Sequence, residues 1–246
     1  MRSLIKITVA GVVLATAMFV PPASPQEPAG QTPAVQPIVL GFPVPDFSLP
    51  AIQGGTYGPS ALKGQNVLLI FPRGKVDDTW CWICHYQYAE LAALDAQRGL
   101  RKAYNLEVLF VLPYDEAEVR HWVEIFADQM AVIRKWMNPP GAENFPPLRK
   151  ERLEKVRRLF AQAAEFGKGP MATPFPILYD KDGAVSKRLG LFRTDWDGST
   201  VDQNIPTTVL LDASGEVRFK YTSQVTFDRP NAAYMTQIME KLIAGR

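Results

Sequence analysis

Residues 66–100 read Asn-Val-Leu-Leu-Ile-Phe-Pro-Arg-Gly-Lys-Val-Asp-Asp-Thr-Trp-Cys-Trp-Ile-Cys-His-Tyr-Gln-Tyr-Ala-Glu-Leu-Ala-Ala-Leu-Asp-Ala-Gln-Arg-Gly-Leu. Asn66 to Phe71 is an apolar run bounded by Lys63-Gly64 and Pro72-Arg73-Gly74, the pattern of a strand buried on both faces. From His85 to Leu100 the apolar residues Tyr88, Leu91, Leu94 and Leu100 recur among good helix formers, which predicts a helix. Between strand and helix stand Cys81 and Cys84, the two cysteines of the chain.

A secreted domain stapled by disulfides needs well-separated cysteines, because cross-linking stabilises more when it closes a longer loop. The pair Cys81-x-x-Cys84 closes almost nothing, so it reads as chemistry. A thiolate at a helix amino terminus meets unpaired N–H groups and the positive end of the helix dipole, which lowers its pKa. Cys81 is therefore the expected nucleophile. Cys84, near one turn later, is placed to resolve the mixed disulfide.

Other readings compete with redox exchange. Cys81-x-x-Cys84-His85 is formally a c-type haem attachment sequence with His85 as axial ligand. Cys81, Cys84, His85 and His121 are also four potential zinc ligands, but adjacent Cys84 and His85 point apart on a helix and the spacing fits no usual finger. A plain structural disulfide is the third. The redox reading is preferred, with no cofactor and no metal. His85 is expected at the surface of its helix, and His121 packed or solvated on its own.

Leu106 to Leu112 reads as a second buried strand. Helical spacing recurs from Asp115 to Met137 and from Pro146 to Phe166, the latter with the i,i+4 pairs Glu151-Lys155 and Glu154-Arg158. Strands are predicted at Phe175–Tyr179, Thr207–Leu211 and Val217–Tyr221, a short helix at Gly183–Leu189, and a last helix from about Asn231 to Ile243. Asp46 to Ile52 alternates like a strand and meets the turn residues Gln53-Gly54-Gly55. The order implies an α/β fold with a central mixed sheet flanked by helices and a helical insertion at about 129–169. The loop from Arg193 to Asn204, with Trp196, reads as a surface turn.

The 246 residues carry 27 basic and 25 acidic side chains, a net charge of +2, which leaves no basic stripe for nucleic acid. Arg2 and Lys6 followed by the apolar stretch to Val20 give residues 1–24 the character of an export signal, or of an amino-terminal anchor if uncleaved. Residues 25–40 read as a Pro-rich linker, with the folded domain at 41–246. The protein is thus expected outside the cytoplasm, periplasmic or otherwise exported, touching a membrane only through an uncleaved first segment.

From Gly41 to Ser223 the sequence resembles the thioredoxin superfamily, in its redoxin branch of AhpC/TSA and TlpA-like proteins. The residues that carry this are Pro45-Asp46-Phe47-Ser48-Leu49, Ser60-Ala61-Leu62-Lys63-Gly64, Phe71-Pro72-Arg73-Gly74, Trp80-Cys81-Trp82-Ile83-Cys84 with Gln87, Glu90 and Leu91, and Ile205-Pro206-Thr207 to Asp212 with Gly215-Glu216-Val217. The resemblance implies a thioredoxin-like fold. It implies Cys81 and Cys84 as the catalytic pair, a cis peptide at Pro206 packed opposite them, and substrate contacts from Trp80, Pro206 and the backbone of Ile205. Three departures stand out. Lys75 to Thr79 are extra residues, and Pro206 occupies the place of the Arg that polarises peroxide in peroxiredoxins. The buried acid of thioredoxin's central strand is also absent, which leaves the proton acceptor for Cys84 unidentified. Asp77 and Asp78, if close to Cys81, oppose thiolate formation. The expected function is an exported thiol-disulfide oxidoreductase acting on disulfides of proteins or small molecules, with an unidentified thiol redox partner. A peroxiredoxin-like thiol peroxidase and, more remotely, a c-type haem electron carrier are the alternatives.

Overall fold

The apolar run from Asn66 to Phe71 is the centre of the sheet. The structure, a computed structural model, describes residues 34–166 and 171–243. The expected export signal and most of the linker lie outside the described residues. In chain order the elements are β1 (Leu49–Pro50), β2 (Thr56–Tyr57), β3 (Asn66–Phe71), β4 (Lys75–Val76), β5 (Thr79–Trp80), α1 (Trp82–Arg98), α2 (Leu100–Ala103), β6 (Leu106–Leu112) and α3 (Glu116–Glu124). There follow α4 (Phe126–Met137), α5 (Pro147–Leu159), β7 (Ile177–Tyr179), α6 (Ala184–Arg188), β8 (Phe192–Arg193), β9 (Gln203–Asn204), β10 (Thr207–Leu211), β11 (Val217–Thr222) and α7 (Ala232–Leu242).

The main sheet has the order β11-β10-β3-β6-β7. β3, β6 and β7 run parallel, with Leu68 opposite Val108 and Val111 opposite Leu178. β10 is antiparallel to both β3 and β11, so the pairing is mixed, as expected. Alternation along β3 divides the core. Leu68 and Ile70 pack with Tyr88 and Leu91 of α1, Trp122 of α3 and Met239 of α7. Val67, Leu69 and Phe71 pack on the other face with Ile38, Phe47, Leu189 and Leu191. Each such side chain contributes about 1.5–3 kcal/mol by leaving water, which is why a strand without polar relief sits at the middle.

Of the boundaries that differ from the sequence reading, three have a physical reason in the packing. The pattern over Asp115 to Met137 forms two helices, α3 and α4, broken at Ile125. Val119 and Trp122 of α3 face the sheet, whereas Phe126, Met130 and Ile133 of α4 face the cysteines, and no straight helix serves both cores. The helix predicted over Pro146 to Phe166 stops at Leu159, and Phe160 turns inward. The folded unit also starts ahead of Gly41: the Gln36 N–H donates to the Arg188 carbonyl at 2.7 Å, and Ile38 is buried. Among the described residues no helix is long and apolar enough to cross a membrane.

The insertion is not an appendage. Cys81, Ile83, Cys84 and Tyr86 share an apolar cluster with Phe126, Met130, Ile133, Phe160 and Ala163. The inserted helices therefore form part of the wall around the two sulfurs.

Candidate active site

β3 ends in Pro72-Arg73-Gly74, and the extra residues Lys75 to Thr79 form most of a small hairpin, β4 pairing with β5. Its turn carries Asp77 at φ 51°, with Asp77 and Asp78 both exposed, so these carboxylates point to water instead of opposing the thiols. The hairpin brings the chain back to its start, where the Cys81 N–H donates to the Gly74 carbonyl at 2.9 Å. Gly74 has φ +88°, and a Cβ there would come 2.3 Å from the Tyr114 hydroxyl oxygen. Only glycine permits this approach, which lets that hydroxyl accept the Lys75 N–H at 2.6 Å.

Cys81 is the N-cap of α1 in extended backbone geometry, the helix itself beginning at Trp82, three residues before the predicted start at His85. The Cys84 N–H donates to the Cys81 carbonyl at 3.0 Å, so both sulfurs lie on the first turn. Both thiols are free, Cys81 being 9% exposed and Cys84 0%. α1 ends at Gly99, whose left-handed conformation at φ 61° closes the last turn.

The electrostatics reverse one expectation. Burial raises the Cys84 pKa, but the hydrogen bond from Cys81, the positive charge of Arg229 and the backbone N–H groups of Arg73 and Gly74 outweigh it and lower the group to about 6. Cys81 is held well above the ordinary thiol range, first by its hydrogen bond with Cys84 and then by burial. The pair thus loses one proton easily and keeps the second, with the charge resting on Cys84. The helix terminus alone does not make Cys81 the resting thiolate. Cys81 nevertheless lies nearer the surface, and a proton passing along the hydrogen bond between the thiols transfers the charge to it.

Arg229 is the residue the sequence reading missed. It follows β11 in the loop before α7 and belongs to no recognisable motif. Nη1 donates to the Ser223 hydroxyl at 3.0 Å and to the Val225 carbonyl at 3.3 Å, and lies 3.7 Å from Asp228. Nε and Nη2 are buried without a hydrogen-bond partner among the described residues. A buried cation with two idle donors is costly, and here its charge helps lower Cys84 and opposes the rise at Cys81. Arg73 braces the surroundings: Nε donates to Gln203 at 2.6 Å, Nη1 to Thr226 at 2.8 Å, and the guanidinium covers Trp196 at 4.9 Å. Asp197 in turn accepts the Thr226 N–H at 2.7 Å. The Arg193–Asn204 loop is mostly exposed, as expected of a surface turn, and is packed through Trp196 and Asp197 onto Arg73 and the Arg229 loop.

The substrate-contact expectations fare differently. Among the described residues no peptide bond is cis, so Pro206 is trans. Its carbonyl accepts the Ser223 N–H at 2.9 Å, extending the β10–β11 ladder by one pair, and the missing proline N–H falls where β10 begins. The Ile205 N–H donates to the Leu191 carbonyl at 2.7 Å and the Ile205 carbonyl accepts from the Thr207 hydroxyl at 3.0 Å, which leaves that carbonyl's second lone pair as the backbone group open to a substrate. Trp80 is buried, edge-on to Tyr114 at 5.0 Å, and acts as packing.

His85 is wholly buried, contrary to the expected surface position. Nε2 lies 2.9 Å from the Trp122 carbonyl, Nδ1 lies 3.2 Å from the Cys81 carbonyl, and the ring stacks on Trp122 at 4.3 Å. A ring so occupied is not presented to a haem iron, and the Cys81-x-x-Cys84-His85 resemblance to a haem site does not fit this geometry. His121 is exposed beside Glu124, and among the described residues no three potential ligands gather for a metal. Burial lowers the His85 pKa to about 4, against the raising effect of the two carbonyls. The unfolded chain binds this proton near pH 6.5, so it holds more protons than the folded chain between about 6.5 and 4. Stability is expected to fall by roughly 3 kcal/mol as pH drops through that window, and His85→Gln should flatten the curve. Urea melts of both proteins at stepped pH check this; parallel curves would refute it.

The sequence model of the AhpC/TSA family matches residues 40–220. The chain belongs to the AhpC/TSA family. No curated protein matches it. Among solved structures, the reduced 2-Cys peroxiredoxin of Plasmodium vivax superposes with a TM-score of 0.52 at 18% identity, covering 83% of this chain and 81% of that one. A mutant of the peroxiredoxin 6 of Arenicola marina gives a TM-score of 0.52 at 15% identity, covering 83% and 73%. At such identities the likeness concerns the fold, which is the thioredoxin-like fold of the redoxin branch. This AhpC/TSA protein is a thiol-based oxidoreductase with a Cys-x-x-Cys pair.

Proposed function

We propose that this AhpC/TSA protein reduces hydroperoxides, with Cys81 as attacking sulfur and Cys84 as resolving sulfur. The observation that carries the reading is the Arg229 guanidinium beside an enclosed thiol pair, its Nε and Nη2 donors buried without a partner among the described residues. Attack of the Cys81 thiolate on the outer peroxide oxygen breaks the O–O bond, gives Cys81 sulfenic acid and releases an alkoxide that takes up a proton. The Arg229 N–H donors suit the oxygen on which charge develops. Cys84 thiolate then attacks the sulfenic sulfur, forming the Cys81–Cys84 disulfide and expelling hydroxide, which leaves as water. A thiol reductant returns the two electrons. On the strength of the residue 1–24 pattern, we place this reaction outside the cytoplasm.

Thiol-disulfide exchange is the second reading, favoured by the location of both sulfurs on one helical turn. The test is to mix the reduced protein with hydrogen peroxide, and separately with insulin. Rapid loss of both thiols for each peroxide consumed, with a mass lower by two hydrogens, supports the peroxidase. Sluggish peroxide consumption with brisk insulin reduction overturns it in favour of exchange.

A further inference from the structure

Trp82, between the two cysteines, meets three aromatic rings from outside α1. Trp136 at the end of α4 lies 5.2 Å away, Phe160 after α5 lies 5.4 Å away, and Phe227 lies 6.0 Å away. Trp136 and Phe227 stack on each other at 5.5 Å with planes 16° apart. Two of these rings come from the insertion, and the third sits two residues before Arg229. The stack therefore joins the inserted helices to the loop that supplies the cation, through Trp82, which stands between two cysteines that are 9% and 0% exposed. Trp136 at 37% and Phe227 at 44% are themselves partly in solvent.

We propose that Trp136 and Phe227 form a clasp that sets the size of molecule able to reach Cys81. With the rings stacked, a substrate of a few heavy atoms reaches the sulfur, while a folded protein's disulfide requires the loop carrying Phe227 and Arg229 to swing from the insertion. The clasp is thus the specificity determinant of the thiol pair, and the insertion is its fixed jaw. This rests on the reactive pair described above, but not on hydroperoxide being its substrate.

The test compares N-ethylmaleimide with a polyethylene-glycol maleimide, the same reaction at two sizes, on the reduced full chain at one pH. In the wild type the large reagent should label far more slowly. Trp136→Ala and Phe227→Ala should each raise the large-to-small rate ratio about three- to tenfold, the factor one stacked ring pair is worth, with the small reagent changed by less than about twofold. The double variant should exceed either single one little, because both changes open the same stack. An unchanged ratio in both single variants, or equal labelling of the wild type by the two reagents, overturns the clasp. Multiplicative effects in the double variant overturn it as well, since they would mean two independent barriers. Hydroperoxide consumption, measured alongside, separates the claims: its absence with a shifted ratio removes the peroxidase reading and leaves the clasp, and the reverse result does the opposite.

Discussion

Arg229→Met should raise the first ionisation of the cysteine pair above its resting value of about 6, and slow peroxide reaction at neutral pH by at least about a hundredfold. The reasoning is one of opposed magnitudes. Burial by itself pushes a fully enclosed thiol upward by several units. What reverses it at Cys84 is the Cys81 hydrogen bond, the Arg229 charge and the N–H groups of Arg73 and Gly74. Methionine keeps much of the volume and removes the only one of these that is a full charge. The N–H bonds remain, so the thiolate is not abolished, but its population at pH 7 collapses. The transition state loses the same cation from the departing oxygen, which adds to the deficit. Arg229→Lys should recover part of both effects, because it restores charge without the two idle donors. A pH profile of iodoacetamide alkylation measures the ionisation, and stopped-flow peroxide oxidation the rate. An unshifted profile in Arg229→Met would show that the guanidinium is structural.

Much of the fold was legible because its signals are local. The strands at Asn66–Phe71, Leu106–Leu112 and Thr207–Leu211 are continuous apolar runs of strand length, and the structure reproduces their limits. The cysteine pair was legible for the same reason: two sulfurs at helical spacing after a buried strand. What escaped the sequence depends on separations no window spans. Arg229 reaches the sulfurs only because β10 and β11 fold back beside β3, and nothing around Asp228-Arg229-Pro230 marks it. His85 looked like a surface residue since its helix face was judged from α1 alone, whereas Trp122 of α3 covers it. The break at Ile125 follows from two cores, and periodicity within one helix cannot reveal that it serves both. The trans peptide at Pro206 is a case where the resemblance carried the expectation further than this chain follows it.

Cys84→Ser should let Cys81 be oxidised once and then stop, with turnover by an added dithiol reduced at least about a hundredfold. In the resting pair Cys81 is raised chiefly by its hydrogen bond with Cys84, whose charge it faces. A serine hydroxyl at position 84 carries no such charge, and Arg229 is left with Cys81 as its sulfur partner. The Cys81 pKa should therefore fall in this variant, even though the thiol that was itself lowered has been removed. Oxidation by one equivalent of peroxide then gives a sulfenic acid that no neighbouring thiol can condense with, seen as a mass gain of one oxygen and trapped by dimedone. Cys81→Ser should behave oppositely. Its remaining thiolate, Cys84, is ionised with Arg229 beside it but has no exposed surface, so peroxide should leave it nearly untouched. Ionisation and access are thus divided between the two sulfurs: Cys84 stores the charge and Cys81 meets the substrate. If Cys81→Ser is the variant that traps dimedone while Cys84→Ser stays inert, the attacking and resolving roles must be exchanged, and access would have to be granted by opening of the aromatic clasp before the chemistry.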